Sequence, residues 1–355
     1  MIKRLILLIA CFALALACAS PEAPSSDTES QADSAPATDQ VVNVYSARHY
    51  DTDEKLYAAF TDATGIDVEV TEADSAALLE RLAREGDQSP ADVFVAVDAG
   101  RLALADSRDI FQPTDSEILN QRVPENLRHP DGLWFGLTKR ARVIVYAKDR
   151  VQPDEISNYE ELADEKWRGR VVIRSSTNIY NQSLVAALID ALGEEATEAW
   201  CEGVVANFAR TPQGGDRDQI RAIAAGEGDI GVVNTYYLGQ MIASDEEADR
   251  EAAAKVGIIF PNQGDRGTHV NIAGAGIIKS APNQANAVKL LEFLTEEEAQ
   301  RIFSDGNKEY PVVDGIAPPV ELEPFGSFKD DPVNASVFGS NAQAALELMD
   351  RCGWR

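Results

Sequence analysis

Residues 135–146 read FGLTKRARVIVY, and residues 269–278 read HVNIAGAGII. Both stretches are apolar, extended in pattern and longer than the strands around them, and both carry glycine where a chain can flex. Two such stretches in one chain read as passages between two lobes. If both cross, residues 41–136 and 274–355 form a first lobe and residues 137–273 a second, with a cleft between them.

Around these passages the pattern alternates between strand and helix. Residues 41–46 (VVNVYS), 66–71, 92–97 (DVFVAV), 171–174 and 229–234 (DIGVVN) have strand character. Residues 52–63, 75–86 (SAALLERLAREG), 181–192 and 219–225 repeat apolar positions at helical spacing. Such alternation predicts an α/β fold with two mainly parallel sheets covered by helices and joined by the two crossover strands. Asp51-x-x-Glu54 has the form of a capping box, Asn234 that of a helix cap, and Asp98 follows a strand and is placed to open a helix.

The chain has 355 residues, with 32 Lys+Arg against 59 Asp+Glu, a net charge of −27. No basic run offsets that balance, so nucleic acid is excluded as a partner. A cationic ligand or a metal is compatible with that charge. Residues 1–18 (MIKRLILLIACFALALAC) combine Lys3 and Arg4 with an apolar run, too short for the roughly 20 residues of a spanning helix but suited to a signal peptide. The run ends at Ala15-Leu16-Ala17-Cys18, which resembles a lipoprotein lipobox and predicts lipidation at Cys18, with plain cleavage nearby as the other outcome. Residues 19–40 lack basic, aromatic and large aliphatic side chains and are expected to form a disordered tether. The protein is then extracytoplasmic, periplasmic or membrane-anchored. In an oxidising compartment Cys201 and Cys352 can pair, stapling the C-terminal end to a mid-chain helix; two buried free thiols are the other reading.

Four of the nine tyrosines share a setting. Tyr50, Tyr180, Tyr236 and Tyr237 each follow a strand and sit where a helix begins, the place where ligands bind in open α/β sheets. Tyr236 and Tyr237 are adjacent, and in a strand-to-helix turn both can face one cleft. Taken singly, each is also compatible with a buried tyrosine whose hydroxyl is hydrogen-bonded. A free phenol ionises near about pH 10, so several phenolates at neutral pH require a strong cation to displace their protons. Hard oxygen anions suit Fe3+. His49 can add a nitrogen, whereas His129 and His269 have no partner at ligand spacing. Four phenolates against a trivalent ion leave one negative charge, which Arg48 is best placed to offset; Lys139, Arg140 and Arg142 can be charges standing behind the ligands or hinge-region surface residues.

Tyr45-Ser46-Ala47-Arg48-His49-Tyr50 is similar to the YSxRHY signature of ferric-iron-binding proteins of ABC importers, the Fut/Fbp type. The resemblance continues through VDAGR at 97–101, GLTKRAR at 136–142, PQGGD at 212–216, NTYY at 234–237, RGTH at 266–269 and EYPV at 309–312. It implies a two-lobed periplasmic binding protein of type II, with Fe3+ as transported ligand, no organic cofactor, and an inner-membrane ABC permease as partner. Carried over by position, the metal site is His49, Tyr50, Tyr180, Tyr236 and Tyr237, and the protein is expected to act as a monomer. The same fold holding Fe2+ or another small cation is the alternative. An exported metalloenzyme is the remaining class, and the chain offers it no GxSxG, HExxH or P-loop motif.

Overall fold

A computed structural model describes residues 40–48 and 50–355. The signal peptide, Cys18, the tether as far as residue 39, and His49 lie outside the described residues. Among the described residues, no helix is long and apolar enough to cross a membrane.

The chain opens with β1 (Val41–Ser46), α1 (Asp51–Thr64), β2 (Asp67–Glu72), α2 (Ser75–Glu85), β3 (Val93–Ala96), α3 (Ala99–Ser107) and α4 (Glu117–Arg122). The long β4 (Phe135–Ala147) leads to β5 (Val171–Val172), α5 (Ile179–Leu192), α6 (Glu194–Ala206) and α7 (Asp216–Ala225). Next come β6 (Ile230–Asn234), α8 (Thr235–Ile242), α9 (Glu247–Lys255) and β7 (Val256–Ile259). The returning β8 (Val270–Ile277) is followed by α10 (Gln284–Leu294), α11 (Glu297–Asn307), β9 (Tyr310–Pro311), α12 (Val337–Ser340) and α13 (Ala342–Arg351).

β4 belongs to two sheets. Its first half, from Phe135 to Ala141, pairs antiparallel with β8. From Arg142 to Tyr146 it pairs antiparallel with β6, and β7 joins its end. The strand order β2-β1-β3-β8-β4-β6-β5 therefore runs from one sheet into the other through the crossover. The parallel pairs are β1–β2, β1–β3 and β5–β6; the pairs made by β4 and β8 are antiparallel, so each sheet is mixed where the crossovers enter it. β4 is buried along nearly its whole length, as expected for a strand covered on both faces.

The glycines in the crossovers serve close packing as much as flexure. A Cβ on Gly274 would sit 2.6 Å from the Phe135 carbonyl oxygen, and one on Gly276 would sit 2.4 Å from that of Leu133. Neither position accepts a side chain without moving backbone.

The C-terminal end departs from the expected division of lobes. Ala345, Leu348, Met349, Cys352 and Trp354 share an apolar cluster with Trp200, Cys201, Leu184 and Leu188. α13 thus packs on α5 and α6 rather than with elements of 41–136. Cys201 and Cys352 are joined in a disulfide with Cα atoms 5.9 Å apart. Trp354 lies 6.2 Å from Trp200 between ring centroids and donates its indole N–H to the Arg174 carbonyl at 2.9 Å.

Candidate metal centre

The four tyrosines stand at element junctions. Tyr50 is the extended residue immediately before α1, with φ −113° and ψ 131°. Tyr180 is the second residue of α5, which begins two residues earlier than the expected helix start. β6 ends at Asn234 and α8 starts at Thr235 with no loop between, so Tyr236 and Tyr237 fall in one helical turn and face the same way. Their rings lie 4.2 Å apart, tilted by 32°. The Tyr236 hydroxyl donates to the Tyr180 hydroxyl at 3.3 Å.

Two expected caps do not form. The Asp51-x-x-Glu54 box does not cap α1, which starts at Asp51 itself with Tyr50 in the cap position and no side-chain cap; Asp53, in the same first turn, accepts from Arg48 Nε at 3.0 Å and Nη2 at 3.2 Å. Asn234 does not cap α8, and its Oδ1 accepts from Arg142 Nη1 at 3.4 Å. Asp98 does cap α3, accepting from the Gly100 N–H at 2.8 Å.

The phenols act on one another electrostatically. Burial pushes the Tyr50 hydroxyl up to about 12, with Glu309 and Tyr237 raising it further and Arg48 and Arg140 opposing. Burial raises Tyr180, and Tyr237 and Tyr50 add to the rise. Tyr236, 3% exposed, is held well above the ordinary phenol value by burial, then by Tyr180, Tyr50 and Tyr237. Tyr50 thus shares one field with the three phenols carried by α5 and α8. Without a cation Tyr50, Tyr180 and Tyr236 stay protonated.

Around the phenols is a lattice of buried ion pairs. Arg142 donates to Asp216 Oδ2 at 2.7 Å and to Asn181 Oδ1 at 2.7 Å, and Arg174 reaches the other Asp216 oxygen at 3.3 Å. Arg140 faces Asp98 at 3.4 Å. The guanidiniums of Arg140, Arg174 and Arg142 lie 5.5, 5.5 and 6.0 Å from the Tyr180 ring centroid. On the other side Arg48 lies 4.9 Å from the Tyr50 ring centroid. It also pairs with Glu309 at 3.4 Å, and Glu309 accepts from the Thr138 hydroxyl at 3.0 Å. Four guanidiniums (Arg48, Arg140, Arg142, Arg174) meet four carboxylates (Asp53, Asp98, Asp216, Glu309), so the frame is close to neutral. Charge on the phenolates must then be balanced mainly by whatever they hold.

Arg48 stands beside Tyr50, but two carboxylates already match its charge. Arg140 and Arg142 do not lie on the hinge surface; they are 2% and 1% exposed. A signal for them was present: Thr138, Arg140 and Arg142 alternate along an apolar strand and so share one face, while Lys139 points the other way to Asp330. Tyr45, in the same hexapeptide as Tyr50, faces elsewhere and bonds Glu85 at 3.0 Å. His269 is buried in the described core, and His129 stacks near Trp134.

The family model for bacterial extracellular solute-binding proteins matches residues 88–326. The chain belongs to that family. The solute-binding protein is 51% identical over 336 residues to Iron uptake protein A1 of Synechocystis sp., covering 95% of this chain and 91% of the relative. It is 30% identical to the Fe(3+)-binding periplasmic protein of Serratia marcescens, covering 90% and 92%. Among solved structures it is similar to Trichodesmium IdiA (FutA) in complex with iron and citrate ligands, with a TM-score of 0.87, 55% identity, and coverage of 89% of this chain and 100% of that one. The Fut/Fbp resemblance and the two-lobed α/β class are borne out by these relatives. The family consists of solute binders, and the metalloenzyme class is set aside on that ground.

Proposed function

We propose that this solute-binding protein captures Fe3+ outside the cytoplasm and presents it to an ABC permease. Tyr50, Tyr180, Tyr236 and Tyr237 supply phenolates from the two sides of the cleft, and His49 is placed by sequence to add a nitrogen. The observation that carries this is the contact of three phenols, with Tyr50 electrostatically coupled to them, inside a frame whose own charges cancel. Such a group is costly to ionise alone and becomes stable only around a highly charged cation. Each phenolate formed releases a proton, so affinity rises with pH.

Closure of the lobes around the ion is a hinge motion on β4 and β8, with Tyr50 bringing the first lobe to the three phenols of the second. The chain works as a monomer tethered through a lipidated Cys18, and its Cys201–Cys352 disulfide suits an oxidising compartment. The test is the visible spectrum of the purified protein during addition of ferric citrate. A phenolate-to-iron charge-transfer band that saturates at one equivalent is expected. A colourless titration, with no heat in calorimetry, overturns the proposal; binding of Fe2+ without colour would favour a ferrous carrier.

A further inference from the structure

Asp98 does more than open a helix. Its carboxylate is completely buried, and its partners come from four elements. Oδ1 accepts from the Gly100 N–H in α3 at 2.8 Å and from the Ser183 hydroxyl in α5 at 2.9 Å. Oδ2 accepts from Asn271 Nδ2 on β8 at 2.9 Å and faces Arg140 Nη2 on β4 at 3.4 Å. One oxygen is thus tied to both crossover strands, and the other to the helix that carries Tyr180. Ser183 lies three residues after Tyr180, on the same side of that helix.

The approach of α3 to α5 is close. A Cβ on Gly100 would lie 3.1 Å from Asp98 Oδ1 and 3.7 Å from both Ile179 Cδ1 and Ser183 Oγ. Asn271 braces the turn from the other side, its Oδ1 accepting from the Ala99 N–H at 3.1 Å. When the lobes separate, the Gly100 bond stays within the turn and the Asn271 and Arg140 contacts stay with the hinge strands. The Ser183 bond joins the first-lobe turn to the second-lobe helix and must break. Opening then leaves a buried carboxylate short of one donor, which resists separation.

We propose that Asp98 and Ser183 form a clasp that holds the Tyr180 helix in the closed position and sets how slowly bound metal escapes. Both are positioning residues that touch no metal. The clasp rests on the ferric reading for its rate measurement, but not for its effect on closure.

Full-length iron-loaded protein is mixed with excess EDTA and the loss of the visible band is followed. Ser183→Ala is expected to release iron on the order of tenfold faster, the effect of one hydrogen bond to a charged group, with the band at an unchanged wavelength. Ser183→Thr keeps the hydroxyl and restores slow release. Adding Ser183→Ala to Asp98→Asn speeds release little beyond Asp98→Asn alone; if Asp98→Asn does not fold, the two Ser183 variants decide. Wild-type release from Ser183→Ala, or a shifted band, overturns the clasp. If the wild type shows no band, the ferric reading itself has failed, and small-angle scattering of the metal-free proteins decides instead. A larger radius of gyration for Ser183→Ala than for wild type supports the clasp, and an equal one overturns it.

Discussion

The two sides of the phenol cluster are built differently. On one side a single tyrosine, Tyr50, stands where β1 runs into α1, steadied by Arg48 with Asp53 and Glu309. On the other side three tyrosines occupy the first turns of α5 and α8, with three guanidiniums around the Tyr180 ring and a hydroxyl-to-hydroxyl bond already formed. On the proposed ferric reading, the second side is a preassembled set of ligands, and the first supplies one arm that completes it. If the site is the proposed one, a division of this kind lets it hold its cargo loosely when open and tightly when closed, because closure then brings in the fourth phenol.

The largest expected effect falls on the preassembled side. Replacing both Tyr236 and Tyr237 by Phe should abolish ferric binding in calorimetry, while the melting temperature moves by only roughly 3 °C. Undiminished affinity would place the receptor elsewhere. Tyr50→Phe should act differently: a weaker coloured complex persists, but iron no longer compacts the protein in small-angle scattering. If Tyr50→Phe and Tyr180→Phe behave alike, the asymmetry is wrong.

The disulfide sharpens the comparison from outside the cleft, since it fastens α13 to α6 on the receptor side. Closing a loop of 151 residues is worth about 2–5 kcal/mol. Cys201→Ser with Cys352→Ser should therefore lower the melting temperature by roughly 5–15 °C, with the iron band unchanged.

The smallest effect is a pH dependence near the hinge. Burial, then Arg142, Arg140 and Arg266, push the His269 imidazole down to about 3. The folded protein then holds His269 neutral while the unfolded chain protonates it near about 6.5. Its stabilising contribution is complete above that value and is lost as pH falls from there toward 3. Melting temperatures across that window should fall on acidification, and His269→Gln should remove about one proton from the slope of stability against pH.

Much of this was legible before any coordinates. The tyrosines could be placed because strand ends and helix starts are local features, and the YSARHY and NTYY stretches lie wholly within such junctions. The Asn234 cap fails for a complementary reason. Asn234 has the chemistry of a cap residue, but Arg142, 92 positions away, competes for it, and a buried arginine left unpaired costs more than an unmade cap.

From the sequence alone came the alternation of strands and helices, the two crossovers, the four phenols, and the surplus of negative charge. These rest on periodicity and on neighbours within a turn or two of chain. Only the tertiary structure decided which carboxylate each buried arginine meets, since Arg142 finds Asp216 across 74 positions and Arg48 finds Glu309 across 261. It also assigned the last helix to the side of α5 and α6. Such pairings depend on how distant segments close on one another, and no local pattern encodes that closure.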